Sequence, residues 1–195
     1  MPPLVLVHGL WDTPQLFNRL KRELGDRREP LLIPHLPHRL GAVGLLELAE
    51  LLGSHIEAVF GSEEPIDLLG FSMGGVIVRS WIQLLGGHRR ARRFHCVGSP
   101  QRGTWAAQPV PGRLLRGIAD MKRGSELLRR LDADLSTLEP VDCRSYYCPT
   151  DITVFPGWQA HLPIGPAMAM PVFTHRQLIA DPRALEILSR ELLLQ

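Results

Sequence analysis

The chain of 195 residues predicts an α/β protein, a doubly wound, mostly parallel sheet with helices on both faces. Three observations carry this. Short apolar runs of strand length alternate with longer stretches of helical periodicity from the first residues to the last, the order expected of strand-helix-strand units. No linker or internal repeat interrupts the alternation. The composition, 45% hydrophobic and 22% charged, is that of a globular chain burying one core.

In order, the first strand falls at Leu4 to Val7. A helix follows near Gln15 to Leu24, with Leu16, Phe17, Leu20 and Leu24 on one stripe. Leu31 to Ile33, between Pro30 and Pro34, gives a second strand. Residues Leu45 to Phe60 place Leu45, Leu48, Ala49, Leu52, Ile56 and Val59 at helical spacing, and Gly61 stops the helix. Ile66 to Leu69 is a third, central strand, with a sharp corner at Ser72 and a long helix from Met73 to Leu85. Phe94 to Val97 is the fourth strand. Residues 99 to 142 are broken by Pro109, Pro111 and Gly112, leaving short helices near Arg113 to Ile118 and Ser125 to Leu131. Tyr146 to Cys148 and Met168 to Phe173 read as the last two strands, the second weakened by Pro171. A terminal helix starts with Asp181 as N-cap and Pro182 at its first position.

A net charge of +2 excludes the strongly basic surface of a nucleic-acid binder. Cys96, Cys143 and Cys148 lack metal-ligand spacing and lie in or beside apolar runs, as free thiols in a reducing compartment do. The opening Met1-Pro2-Pro3 has no basic region, so no signal peptide is expected, and no run approaches the roughly 20 apolar residues of a membrane span. These features predict a cytoplasmic protein.

Chemistry enters at Gly70-Phe71-Ser72-Met73-Gly74. A serine hydroxyl is a weak nucleophile, so an acyl-transfer enzyme must hold it on an exposed point and supply a base and an oxyanion site. A strand before the motif and a helix after it are the context of a nucleophile elbow, and Gly70, Gly74 and Gly75 make room where a Cβ would meet backbone. A structural Gly-rich turn is the bland alternative.

Three segments in order, Val7-His8-Gly9-Leu10-Trp11 after the first strand, Gly-Phe-Ser-Met-Gly-Gly at the elbow and Gly98-Ser99-Pro100-Gln101-Arg102-Gly103-Thr104 after the next strand, resemble the lipase and esterase branch of the α/β-hydrolases. The resemblance covers nearly the whole chain. It implies a reduced α/β-hydrolase fold of about six strands in one domain, an oxyanion hole from the backbone N–H groups of Leu10 and Met73, and a structural His8. It also implies the chain order nucleophile, acid, histidine, which sends the search for partners downstream of Ser72. Asp151 follows a strand, as a functional group of an open parallel sheet should. Asp142 precedes that strand, and Asp132, Asp134 and Glu139 read as solvated. For the base, His175 lies before the terminal helix, where the family places its histidine, and His161 is the alternative in a Pro- and Gly-rich connection.

The expected activity is therefore carboxylic-ester hydrolysis through Ser72, His175 and Asp151, with no cofactor and no metal, on a small-molecule or lipid ester. Other acyl leaving groups (thioester, amide, lipid head-group ester) and a catalytically silent binding scaffold are the alternatives. Trp11 and Trp105 are candidates for lining an acyl pocket. His35 and His38 lack further ligands for a metal. The run His88 to Arg93 is a solvated connection or a weak peripheral contact to an anionic membrane. Residues 103 to 124 are expected to form only a short flap, with Leu114, Leu115 and Ile118 as its apolar patch.

Overall fold

The computed structural model describes residues 1–194. Six strands form one sheet, β1 (Leu4–Val7), β2 (Leu31–Leu32), β3 (Ile66–Phe71), β4 (Ala91–Val97), β5 (Asp142–Tyr147) and β6 (Ala167–Ala169), in the spatial order β2-β1-β3-β4-β5-β6. Every pair is parallel. The helices are α1 (Asn18–Leu24), α2 (Leu45–Phe60), α3 (Met73–Leu84), α4 (Arg116–Asp120), α5 (Glu126–Ala133) and α6 (Pro182–Leu193).

Strand alternation divides the core. Leu4 and Leu6 of β1 point to the side packed by Phe17, Leu20 and Leu24 of the first helical segment and by Leu185 and Leu188 of α6. Val5 and Val7 point to the other side, against Leu45, Leu48 and Leu52 of α2 and Val76 and Ile77 of α3. A strand buried on both faces reads as an unbroken apolar run, which is why β1 and β3 are plain in the sequence. The chain leaves β1 toward one edge and β3 toward the other. The carboxyl ends of these two neighbours thus flank the switch point at which open parallel sheets place their sites.

The differences from the sequence-based boundaries have local causes. The expected helix from Gln15 begins as a 3-10 turn over Pro14–Phe17 and becomes α-helical at Asn18. The last turn of α2 leaves Val59 open to solvent. The sixth strand ends at Ala169 because Pro171 has no N–H to give, although Met170 still donates to Tyr147 O at 2.8 Å. Strand β4 starts at Ala91, so two arginines of the basic run belong to the sheet, and Arg92 pairs with the buried Asp67 at 3.0 Å. The short helix expected at Arg113 to Ile118 lies at Arg116–Asp120. No helix among the described residues is long and apolar enough to cross a membrane. The three cysteines are free and buried, and burial pushes the Cys96 thiol up to about 11.

Candidate active site

Ser72 occupies the corner between β3 and α3 with φ 54° and ψ −126°. This left-handed conformation is rare for a residue with a Cβ, and it turns the side chain out of the sheet. The corner persists because the surrounding backbone closes on it. Ser72 N–H donates to Val97 O of the neighbouring strand at 2.9 Å, and a Cβ on Gly74 would stand 2.2 Å from Val7 O. Gly9 plays the matching part from the end of β1, where a Cβ would come within 2.9 Å of Ser72 Cβ.

The loop carrying Leu10 and Trp11 is held by two histidines that the sequence left without a role or read only as structural. His8 Nδ1 lies 3.0 Å from Gly9 O, and its Nε2 accepts from Leu36 N–H at 3.1 Å, which fixes a neutral ring. Burial lowers its pKa. His38 Nε2 accepts the N–H of Trp11 at 3.1 Å and supports Trp11 at φ 62°. Met73 is the first residue of α3, where the opening N–H groups have no partner within the helix.

Asp151 follows β5 and is 1% exposed. Its Oδ1 accepts the N–H groups of Thr153 at 2.8 Å and Val154 at 3.0 Å, and its Oδ2 lies 2.6 Å from His175 Nδ1. His175 opens a 3-10 turn, His175–Ile179, whose entry is set by a capping box between Thr174 and Gln177. The ring packs on Phe71 at 4.9 Å between centroids, next to the elbow. Its Nε2 has no hydrogen-bond partner among the described residues. Thr104, which sequence reasoning passed over, ties the acid's loop down: its hydroxyl donates to Thr153 O at 2.9 Å and accepts Phe155 N–H at 3.0 Å.

Ser72 and His175 line one cleft of about 560 Å³ together with Leu10, Trp11, Phe71 and Val154, and Ala106, Ala107, Val110, Ile118 and Met121 add to its apolar lining. A serine on a strained corner and a carboxylate-held imidazole lining the same cleft are the groups that nucleophilic acyl transfer needs. Trp105 is not brought to the cleft; its ring lies under the Arg123 guanidinium at 4.5 Å. Leu114 is 73% exposed and also lies outside the lining. His161 packs on Tyr147, with ring centroids 4.3 Å apart, away from the cleft. Asp142 begins β5 at the opposite end of the sheet and pairs with Arg144. Asp132 pairs with the buried Arg79. Among the described residues no group of three or more His, Cys, Asp or Glu has the arrangement of a metal site.

The chain belongs to the alpha/beta hydrolase family, whose model matches residues 4–193. Among solved structures it is similar to Aspergillus fumigatus lipase B, at 17% identity and a TM-score of 0.79, covering 98% of this chain and 52% of that one. It is similar to the mature form of the Bacillus licheniformis lipase BlEst2, at 15% identity and a TM-score of 0.76, covering 98% of this chain and 91% of that one. It is also similar to RedJ, a thioesterase of the prodiginine biosynthetic pathway in Streptomyces coelicolor, at 18% identity and a TM-score of 0.65, covering 97% of this chain and 84% of that one. At these identities the likeness is one of fold, and the chain spans about half the length of the fungal lipase. No curated protein matches the sequence.

Proposed function

We propose that the protein is a serine esterase or small lipase that hydrolyses carboxylic esters through an acyl-enzyme. The observation that carries this reading is the convergence on one apolar cleft of Ser72 at φ 54° and His175 held by Asp151 at 2.6 Å. His175 Nε2 takes the Ser72 proton as the hydroxyl oxygen attacks the acyl carbon, and Asp151 stabilises the imidazolium through Nδ1–H. The N–H groups of Leu10 and Met73 receive the developing oxyanion, the latter at the positive end of α3. His175 then protonates the departing alcohol, and water releases the acid. The wall of Ala106, Ala107, Val110, Ile118 and Met121 seats the acyl chain.

Labelling by a fluorophosphonate probe, compared between the native protein and Ser72→Ala, tests this. Native protein should label and turn over short esters; the variant, which loses one hydroxyl and keeps its fold, should do neither. Full labelling of the variant would refute the assignment of the nucleophile.

A further inference from the structure

Beside the cleft lies a second hollow of about 540 Å³, lined by Trp11, Asp12, Arg19, Arg22, Arg176 and Ala180 among others. The two are neighbours, with Trp11, Asp12 and Arg176 lining both. Its character is different. Arg19 and Arg22 come from α1 and Arg176 from the turn that begins at His175. Asp12 is the only acidic side chain in the hollow among the described residues, and it bonds Arg176 across it at 2.5 Å. Three arginines and one aspartate give the lining a net charge of +2, and Arg19 Nη1 also donates to Ala180 O at 3.0 Å.

The hollow also has a definite place relative to the reaction. The alcohol half of an ester must lie on the His175 side, because His175 gives its proton to the departing oxygen. Arg176 adjoins that histidine in sequence and lines both hollows, whereas residues 106 to 121 contribute only to the cleft. A group extending from the departing alcohol past Arg176 enters the arginine-lined space. Guanidinium forks match the oxygens of a phosphate, and a phosphate monoester carries close to two negative charges at neutral pH.

We propose that this hollow selects esters whose alcohol half bears a phosphate, so that the preferred substrates are acyl esters of a phosphorylated alcohol. The proposal rests on the serine esterase assignment and specifies its leaving group. The bond from Ser72 Oγ to the acyl carbon forms as the acyl carbon's bond to the alcohol oxygen breaks. That oxygen leaves with the proton held on His175, carrying its phosphate untouched. Water then adds its hydroxyl to the acyl carbon as the bond from that carbon to Ser72 Oγ breaks, and the water's remaining proton passes through His175 to the departing Ser72 oxygen.

The test compares kcat/KM for 1-butyryl-glycerol 3-phosphate with that for 1-butyryl-glycerol, whose leaving oxygens are alike. Monomethyl succinate serves as a third ester, with its charge in the acyl half. One exposed ion pair is worth a factor of roughly two to five, so several should favour the phosphate ester about tenfold, through KM, with the advantage shrinking at high salt. In the Arg19→Gln/Arg22→Gln double variant the ratio of the two glycerol esters should fall toward about one, while Arg19→Lys/Arg22→Lys retains most of it. Monomethyl succinate should gain nothing over its neutral counterpart, dimethyl succinate. Equal turnover of both glycerol esters by native protein, or a preference that survives the double glutamine variant, overturns the hollow's role and leaves the esterase standing. Failure of all these esters, together with no fluorophosphonate labelling, overturns both.

Discussion

His175 Nδ1 lies 2.6 Å from one oxygen of Asp151, while the other oxygen of the same carboxylate is taken by the N–H groups of Thr153 and Val154. The acid is thus fixed by its own loop before it meets the histidine. Its free rotation is gone, and with it the freedom of the imidazole to choose a tautomer.

Asp151→Asn keeps the shape and Oδ1 bonds but replaces the acceptor facing Nδ1–H. Turnover should drop on the order of 10³ to 10⁴-fold through the wrong tautomer, with the unfolding midpoint little changed. Steady-state rates on a short ester measure this. Near-native activity would move the acid elsewhere, although Asp142 at the far end of β5 is badly placed to take over.

Gly98 supports the histidine from below. It has φ 53°, and a Cβ there would stand 2.5 Å from Leu178 Cδ1 and 3.2 Å from His175 Cε1. Gly98→Ala should therefore lower kcat more than it raises KM, and cost roughly 1 to 2 kcal/mol through the left-handed backbone alone. Kinetics paired with urea unfolding separate the two effects. An unaltered kcat would mean that the turn carrying His175 can shift without consequence.

Stability should fall in mild acid because of His95. Burial pushes its pKa down from 6.5 to about 4. Between those values the unfolded chain binds a proton that the folded chain refuses, so stability is complete above pH 6.5 and is lost as pH falls toward 4. This one site contributes on the order of 3 kcal/mol over that window. His8 and His38, also lowered by burial, act in the same direction. Urea midpoints at pH 7 and pH 4.5 should diverge less in His95→Gln; an equal loss in both proteins would reject His95 as a source.

Ester turnover should rise smoothly with substrate and need no oil-water interface. Residues 103 to 124 are pinned at both ends, since Thr104 N–H donates to Met121 O at 2.9 Å, and Asp120 accepts Leu45 N–H at 2.8 Å. Ile118 and Met121 belong to the core. A segment so anchored forms a wall. A sharp jump in rate when a substrate passes its solubility limit would show that it opens as a lid.

What was legible in the sequence follows from which interactions are local. β1, β3 and the elbow announce themselves because burial on both faces demands continuous apolar residues and the corner demands glycine. The start of β5 is hidden, since the charged Asp142 and Arg144 belong to no apolar run, and Arg144 finds its partner in Glu191, far along the chain, at 2.8 Å. The same holds for His38 and for the meeting of Arg19 and Arg22 with Arg176, whose roles depend on loops that only the fold brings together. Trp105 adjoins a motif while its ring meets Arg123, because adjacency in sequence does not decide which way a ring turns.

The backbone contacts around Ser72 bear on how such a protein diversifies. Where Gly74 meets Val7 O and Gly9 meets Ser72 Cβ there is no side chain to exchange, and adding one carbon breaks the corner. Substitution is closed to that part of the molecule. The cleft's apolar lining includes Ala106, Ala107, Val110 and Met121, none of which is among the nearest neighbours of a Cβ added at Gly9, Gly70 or Gly74. If the proposed esterase reading holds, inheritance and engineering alike can write a new acyl preference into such lining side chains, and a randomised library belongs at those four positions.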